Sequence, residues 1–331
     1  MDEVAHTSAS VNRDDAPVIA VVMPCYRETG NVLDVLARIG AEVSRIFVVD
    51  DGCPDGTGDL VRRSCDDPRV DVIVHQSNSG VGSAVLSGYQ AAIDSGAEII
   101  IKIDGDGQMA PALIPRLAAP IVLGQADYAK GNRFHDLDGL RQMPGLRLFG
   151  NLVLSFASKL SSGYWNIFDP TNGFTAIHAK VAQRLPADRI SRGYFFESDM
   201  LFHLNLTGAV VIDVPMTARY GDETSGISIP RVAVEFPIKH AWNALRRVFY
   251  SYFLRDFTAA SVQLVAGWGL LLFGIVFGAL EWAASNATGI PATAGTVILA
   301  ALPVILGSQF LIAFLDFDTR NVPRTPLHPR L

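Results

Sequence analysis

Two carboxylates and an amide follow a run of apolar residues in the first third of the chain. Residues 99–103 read as a buried strand, and Asp104, Asp106 and Gln108 come directly after it. Two like charges one residue apart repel each other unless a cation lies between them. Their hard oxygen atoms suit Mg²⁺ or Mn²⁺, ions that keep several waters and bind substrate phosphates. The spacing therefore predicts a metal site, and the alternative is an acidic turn that caps the next helix.

The elements that must position these groups alternate between strand and helix. A helix is expected over residues 31–42, and strands are expected over residues 18–23, 45–49, 70–75, 99–103, 127–130 and 210–214. This alternation predicts βαβ units and a mostly parallel sheet, an α/β fold. Ligands of such sheets bind beyond the carboxyl ends of the strands. Polar functional groups should therefore follow the strands.

Four polar loops fulfil that expectation. They read Pro24-Cys25-Tyr26-Arg27-Glu28, Asp50-Asp51-Gly52-Cys53-Pro54-Asp55-Gly56-Thr57, Asn78-Ser79-Gly80-Val81-Gly82 and Asp104-Gly105-Asp106. Together they describe one edge large enough for a nucleotide. The two glycines around Val81 superficially suggest a dinucleotide fingerprint, but Val85 stands at the third glycine position and the motif follows the third strand. A nicotinamide enzyme is therefore disfavoured.

These loops resemble the motifs of family-2 glycosyltransferases of the GT-A fold, in particular the bacterial two-span polyprenyl-phosphate hexose synthases. The resemblance covers about residues 18–228. It rests on the loops after the first, second and fourth strands, on Gly131-Asn132-Arg133 and on Asp169-Pro170-Thr171-Asn172-Gly173-Phe174. The chain departs from the family where Arg27, Cys53 and Val81 replace Asn, Ser and Lys. The segment 219–225 also lacks the Lys that often closes the loop containing Arg219.

The resemblance implies metal-dependent, inverting transfer of a hexose from a nucleotide sugar to polyprenyl phosphate. It implies that Pro24, Tyr26, Glu28, Asp50, Asp51, Gly80, Asp104 and Asp106 bind the donor nucleotide, and that Arg133, Asp169 and Asn172 lie at the acceptor site, where Asp169 either positions the sugar hydroxyls or orders its loop. Arg147, with Asn151 one turn later on a predicted helix, would complete the pocket for the acceptor phosphate. Asp104, Asp106 and Gln108 would hold Mg²⁺ or Mn²⁺. The catalytic set would be Asp104, Asp106, Arg133, Arg147 and Arg219. An acceptor phosphate is ionised at neutral pH, so no tuned general base is required.

Several residues have a second interpretation. Arg219 either neutralises the leaving pyrophosphate or lies on the surface, and Arg141 competes with Arg147 for the acceptor phosphate. Asp51 and Asp55 are alternatively N-caps of the helix that starts near Thr57. Glu197 is either a sugar ligand or a first-turn charge that favours the helix dipole. The sugar stays open between glucose, mannose and N-acetylglucosamine, with UDP-glucose slightly favoured by the short two-span tail.

The last quarter of the chain is apolar. Two uncharged runs predict transmembrane helices over about residues 260–281 and 293–315, rather than a pair of buried core helices. The predicted organisation is a leader over 1–16, a catalytic domain over 17–230, interfacial helices over 231–256, a hairpin over 257–317 and a tail over 318–331. Trp242, Leu245, Phe249 and Tyr252 would face lipid, with Lys239, Arg246 and Arg247 toward lipid phosphates. A helix packed on the catalytic domain is the alternative.

Charge places the chain at a membrane and away from nucleic acid. The net charge is −6, charged residues are 18% of the chain, and no dense basic stretch is present. Arginines flank both ends of the hairpin and none lies in the link between the spans, so the catalytic domain is expected on the cytoplasmic face of the cell membrane. The three cysteines are expected to be free thiols there. The small hairpin leaves room for self-association.

Two other functions fit the same residues. One is a GT-A transferase that acts on another lipid-linked acceptor. The other is a non-catalytic nucleotide-sugar-binding partner of a flippase. An acceptor hydroxyl would need a catalytic base, and a non-catalytic relative would be free to lose Asp104, Asp106 and Gln108. Both considerations favour the polyprenyl-phosphate hexose synthase.

Overall fold

A seven-stranded sheet forms the centre of the N-terminal part of the protein. The computed structural model describes residues 17–135, 145–216 and 229–331. The strands, β1 to β7 in chain order, are Ile19–Cys25, Val43–Asp50, Val70–Val74, Ile99–Lys102, Tyr128–Asn132, Thr175–His178 and Val211–Pro215. Their spatial order is β3-β2-β1-β4-β6-β5-β7. All run in one direction except β6, which is antiparallel to both β4 and β5.

The expected mostly parallel α/β sheet is thus confirmed, with one antiparallel strand that the sequence pattern missed. Every residue of β1 and of β4 is buried. Continuous burial is typical of strands covered by helices on both faces. The sheet therefore provides a rigid support for the loops at its carboxyl edge.

Helices connect the strands and continue to the C-terminus. In chain order, α1 to α10 are Val32–Ala37, Thr57–Ser64, Val81–Asp94, Ile114–Val122, Gly145–Ser162, Ala179–Ala182, Phe196–Thr207, Ile229–Phe249, Ala259–Thr288 and Ala294–Arg320. The helix expected over residues 31–42 is shorter than predicted. The backbone N–H groups of Arg38 and Ile39 donate to the carbonyls of Val35 and Leu36, and the chain then turns at Gly40 into β2. A glycine just past the end of a helix favours this stop.

The chain divides into two compact units. Of the described residues, the first unit contains 17–135, 145–152, 167–216 and 324–331, and the second contains 153–166 and 229–323. The second unit includes α9 and α10, both of which are long and apolar enough to cross a membrane. Only 11% of the most apolar part of each helix is buried, so these helices do not have the burial of a soluble core. They pack closely on each other, because a Cβ built at Gly274 would lie 2.7 Å from the Ala300 carbonyl oxygen.

The amphipathic helix before the hairpin has an exposed apolar stripe. Its members are Val234, Ile238, Trp242, Leu245 and Phe249, each more than half exposed. The chain then forms a π-helical turn over Tyr250–Arg255. In a π-helix the hydrogen bonds join residues five apart instead of four, so each turn contains more residues. The side chains that follow are therefore rotated away from the stripe.

Two residues expected toward lipid are buried instead. The Tyr252 hydroxyl donates to Asp318 Oδ1 at 2.6 Å, and Arg247 donates to both Asp318 oxygens at 2.6 and 3.0 Å. The Trp165 ring N–H donates to Asp318 Oδ2 at 2.9 Å. Buried charges require such partners, so a carboxylate near the end of α10 decides the orientation of Tyr252 and Arg247.

Candidate active site

The loops after β1 and β2 are joined by hydrogen bonds that backbone N–H groups donate. The Asp51 N–H donates to the Cys25 carbonyl at 3.0 Å, and the Glu28 N–H donates to the Thr57 hydroxyl at 3.3 Å. Arg27 has a φ of +65°, a left-handed conformation that few non-glycine residues adopt. Its N–H donates to Cys53 Sγ at 3.1 Å. The first two predicted donor loops therefore form one surface. Tyr26 is exposed on it, whereas Pro24 is buried near the end of β1.

Asp50 is buried and orders its own loop. Its carboxylate accepts the N–H groups of Cys53 at 2.7 Å and Gly58 at 2.6 Å. The second bond lies in the first turn of α2, so the capping role considered for Asp51 and Asp55 belongs to Asp50. A Cβ at Gly58 would lie 2.8 Å from Asp50 Oδ2. Only a glycine leaves room for this carboxylate.

Asp51 links the loop after β2 to the loop after β3. It accepts the N–H groups of Ser79 at 3.0 Å and Gly80 at 2.7 Å, and it lies 2.7 Å from His75 Nδ1. Gly80 has a φ of +93°, and a Cβ there would lie 2.4 Å from the Arg192 carbonyl oxygen. This close backbone packing explains why glycine stands at position 80 without any dinucleotide motif.

The turn after β4 carries the predicted metal ligands. Asp106 Oδ1 accepts the N–H of Gln108 at 2.9 Å, which holds the turn together. Within the described part of the chain, no three His, Cys, Asp or Glu side chains are grouped to hold a metal ion. Two carboxylates with an amide still form the hard oxygen set that Mg²⁺ or Mn²⁺ takes when phosphate oxygens and waters complete the coordination. The donor set therefore fits an ion that is shared with a bound diphosphate.

A buried lysine lies directly behind this turn. Lys102 Nζ donates to Asp104 Oδ1 at 2.8 Å and to Glu197 Oε1 at 3.2 Å, and its side chain is 1% exposed. Burial alone would lower the pKa of Lys102, but Asp104 and Glu197 raise it above the ordinary lysine value. Glu197 is thus the partner of a buried cation, an arrangement that neither of its two predicted roles included.

Arg133 and Asp169, both predicted at the acceptor site, lie in direct contact. Arg133 donates through Nε to Asp169 Oδ2 at 2.8 Å and through Nη2 to Oδ1 at 3.0 Å. Asp169 is fully buried, whereas the Arg133 side chain is 32% exposed. A two-point pair fixes the plane of a guanidinium. Asp169 therefore orients Arg133 and is itself out of reach of a sugar.

Asn172 uses its side chain to shape the loop before β6. Its amide donates to the Gly131 carbonyl at 2.7 Å and accepts the Phe174 N–H at 2.9 Å. Its own carbonyl accepts from Lys130, a second fully buried lysine. Burial lowers the pKa of Lys130 to about 8, although Glu197 and Asp169 act in the opposite direction. A lysine inside an apolar strand was the available sequence signal for both Lys102 and Lys130.

The structure thus brings together the loops with Glu28, Asp50, Asp51 and Gly80, and separately pairs Arg133 with Asp169. Arg141 and Arg219 lie outside the described residues. Arg147 and Asn151 lie on α5, but their side chains are outside the described part of the chain. The assignment of these four residues stays a prediction.

Comparison with known proteins agrees with this fold. Residues 20–185 match the model of glycosyl transferase family 2. The chain is 32% identical over 202 residues to a polyprenol monophosphomannose synthase of Mycolicibacterium smegmatis, covering 60% of this chain and 76% of the relative. It is 30% identical over 203 residues to an undecaprenyl-phosphate mannosyltransferase of Micrococcus luteus, covering 60% and 82%.

A solved structure shares the architecture. It is glucosyl-3-phosphoglycerate synthase from Mycobacterium tuberculosis in complex with Mn²⁺, UDP and phosphoglyceric acid, with a TM-score of 0.52 and 17% identity. The match covers 70% of this chain and 78% of that one. The fold is therefore GT-A, with the two apolar helices added after it. The chain belongs to glycosyl transferase family 2 and is a glycosyltransferase.

Proposed function

We propose that this enzyme transfers a hexose from a nucleotide sugar to polyprenyl phosphate at a membrane surface. The observation that carries the proposal is the pair of apolar helices that follows the catalytic unit, each with only 11% of its most apolar part buried. Two such helices would hold the catalytic unit at a membrane. A polyprenyl chain costs about 0.8 kcal/mol for every CH₂ group exposed to water, so its enzyme must work at the membrane.

The names of the relatives support the same acceptor class. Two of them carry polyprenol or undecaprenyl phosphate and mannose in their names, and a third, from Methanococcus voltae, is a dolichyl-phosphate N-acetylglucosaminyltransferase. These names favour mannose or N-acetylglucosamine, and they lend no support to the slight preference for UDP-glucose. The proposed donor is therefore a nucleotide-activated hexose, and the transfer assay described below identifies the sugar.

In the proposed reaction, an acceptor phosphate oxygen attacks the anomeric carbon while the bond from that carbon to the nucleotide diphosphate breaks. The acceptor oxygen is already ionised, so no proton must be removed. Arg133, oriented by Asp169, would bind one of the phosphates, since a guanidinium suits phosphate oxygens. Bound at Asp104, Asp106 and Gln108, a divalent ion would stabilise the charge that develops on the leaving diphosphate.

The catalytic unit is proposed to lie on the cytoplasmic face of the cell membrane. Arg246 and Arg255 precede the first apolar helix, while Arg320, Arg324 and Arg330 end the second or follow it. Residues 281–293, which form the end of the first apolar helix and the link to the second, contain no Lys or Arg. Positive residues stay preferentially in the cytoplasm. The exposed apolar stripe of α8 would lie in the headgroup region of the membrane.

The decisive experiment is transfer by purified protein in detergent. Undecaprenyl phosphate and Mn²⁺ are supplied with radiolabelled GDP-mannose, UDP-GlcNAc or UDP-glucose, and Asp106→Asn serves as the control. We expect one donor to give label in the lipid phase and the variant to lose at least 100-fold of that rate. Absence of transfer from all three donors, despite nucleotide binding, would contradict the proposal and favour another acceptor.

A further inference from the structure

The buried ammonium group of Lys102 already contacts one carboxylate oxygen of Asp104, a predicted metal ligand. Lys102 Nζ is 2.8 Å from Asp104 Oδ1, and the lysine side chain is 1% exposed. Among the described residues, no hydrogen-bond donor contacts Asp104 Oδ2. Asp104 thus has one oxygen bound by an ammonium and one oxygen open to another ligand.

The lysine is held in this position from two further sides. Glu197 Oε1 accepts from Nζ at 3.2 Å and is itself only 14% exposed. A Cβ built at Gly173 would lie 2.5 Å from both Lys102 Nζ and Asp104 Oδ2, so only a glycine at this position leaves room for the pair. The Asp104 side chain is still 28% exposed, whereas that of Lys102 is 1% exposed. Water has little access to this ammonium. Its charge is therefore weakly screened toward the neighbouring carboxylate.

We infer that Lys102 is a resident cation that weakens metal binding to Asp104 until the donor diphosphate arrives, and that Glu197 limits this effect by sharing the lysine. The inference rests on the metal site of the proposed function. Like charges that share one carboxylate repel each other, so the ammonium opposes a divalent ion at Asp104. A diphosphate adds negative oxygens on the open side and offsets that repulsion.

Metal and nucleotide should then bind cooperatively. The described residues group no third carboxylate, histidine or cysteine with Asp104 and Asp106, so this part of the chain offers the ion few ligands of its own. Coupling between two ligands is reciprocal: nucleotide raises the affinity for metal by the same factor as metal raises the affinity for nucleotide. Lys102 is a positioning residue in this scheme, because it acts through Asp104 and its own side chain is 1% exposed.

Two variants should move Mn²⁺ binding in opposite directions. Glu197→Gln leaves Lys102 to Asp104 alone, so we expect Mn²⁺ affinity without nucleotide to fall at least tenfold and the dependence on nucleotide to increase. The double variant K102M/E197Q removes the ammonium together with its second carboxylate partner. It should bind Mn²⁺ alone at least tenfold more tightly than the wild type, with a smaller effect of nucleotide.

The measurement is free Mn²⁺ by electron paramagnetic resonance, with the metal alone and with GDP or UDP, whichever the wild type binds more tightly. Lys130→Met is the matched control, because Lys130 is equally buried but contacts a backbone carbonyl instead of Asp104. It should leave the nucleotide dependence unchanged. Thermal unfolding verifies that each variant is folded.

A merely structural role for Lys102 predicts a different pattern. Both variants would then weaken Mn²⁺ binding and leave its nucleotide dependence unchanged, which would overturn the inference. If the double variant does not fold, the increased nucleotide dependence of Glu197→Gln still decides. Wild-type protein that binds no Mn²⁺ even with nucleotide would overturn both the inference and the proposed metal. If the two variants change Mn²⁺ affinity as expected but the wild type transfers no sugar to polyprenyl phosphate, only the proposed acceptor would be contradicted.

Discussion

The two buried lysines of the sheet differ in their partners. That difference decides how much free energy the burial of each ammonium group costs. Lys102 contacts two carboxylates, whereas the partner of Lys130 is the neutral carbonyl of Asn172. A charge buried beside a neutral dipole keeps much of its desolvation penalty. This agrees with the lowered pKa of Lys130, about 8, against the raised pKa of Lys102.

Lys130→Met should therefore stabilise the protein. A base whose pKa falls from 10.5 to about 8 on folding costs about 3 kcal/mol when protonated. One lost hydrogen bond offsets about 1 kcal/mol of that. We expect the free energy of unfolding at pH 7 to rise by about 1–3 kcal/mol in denaturant titrations.

The pH dependence supplies the control for this prediction. The unfolded chain binds more protons at Lys130 than the folded chain between pH 8 and 10.5, so wild-type stability rises over that range. The advantage of Lys130→Met should shrink in the same range and be smallest at pH 10.5. A constant difference would show that packing, not charge, is responsible.

Asp169→Asn should reduce acceptor binding. The substitution removes the charge of a buried carboxylate that orients Arg133 through two hydrogen bonds, and breaking such a pair costs about 3–5 kcal/mol. We expect the KM for polyprenyl phosphate to rise at least tenfold in transfer assays, with the donor KM within twofold of wild type.

Thr171→Val is the matched control for that variant. Thr171 Oγ1 lies 3.4 Å from Arg133 Nη2, a contact longer than either bond to Asp169. Its loss should change the acceptor KM by less than threefold. If Asp169→Asn raised the donor KM instead, Arg133 would belong to the donor site.

At the scale of elements, the sequence predicted the strands that carry the site because their apolar runs end in polar loops. The antiparallel strand Thr175–His178 was not predicted, since four residues give no period and direction depends on pairing with β4. The partner of Lys102 lies 95 residues away in α7, and no local pattern specifies such a contact. The capping role shifted from Asp51 and Asp55 to Asp50, because the Asp50 carboxylate folds back over its loop to accept the Gly58 N–H.

The C-terminal segment returns to the sheet and contacts the start of β5. Fully buried Asp127 accepts the N–H groups of Leu327 and His328 at 2.8 and 2.9 Å and the N–H of Val210 at 2.8 Å. His328 Nδ1 lies 2.8 Å from the same carboxylate. The segment therefore completes the surroundings of a buried charge.

Removing residues 324–331 should destabilise the first unit. Asp127 would keep only the bond from Val210 among these contacts, and each buried hydrogen bond to a charged group contributes about 1.5–3 kcal/mol. We expect the thermal midpoint to fall by several degrees, about 4–8 °C per kcal/mol for small domains and less for larger ones. Arg324→Ala, which retains Leu327 and His328, should unfold like the wild type.

Mild acid should act on the same segment through His178. This ring stacks on His328 at 4.4 Å, and its Nδ1 accepts the N–H of Lys180. Burial, with a smaller effect of His328, lowers the pKa of His178 to about 4. The unfolded chain therefore takes up the proton first as pH falls below 6.5, so stability is lost progressively between pH 6.5 and 4.

The test is the thermal midpoint between pH 7.5 and 5 for the wild type and His178→Gln. A glutamine can accept the Lys180 N–H but does not titrate, so the variant should lose less stability on acidification. Part of the slope should remain, because burial also lowers the pKa of His240 to about 4. Identical slopes in the two proteins would exclude His178 as a contributor.

For the whole molecule, the path of the chain constrains how it meets a membrane. The chain leaves the first unit before α8, passes through two apolar helices and rejoins that unit at residues 324–331. One folded unit cannot lie on both sides of a bilayer. If both helices span, the two ends of the hairpin must lie on the side of the catalytic unit, which is the arrangement that the arginine distribution predicts.

Reporter fusions test this topology directly. Alkaline phosphatase inserted at Ile290, in the link between the two helices, should be active because it is exported, whereas a fluorescent protein fused after Leu331 should fold and fluoresce in the cytoplasm. The insertion lies in an exposed link, so it should leave the catalytic unit folded. Activity of a phosphatase fused after Leu331 would place the C-terminus outside. Because the His328–Asp127 contact ties that end to the sheet, such a result would also place the active site outside, where cytoplasmic nucleotide sugars cannot reach it.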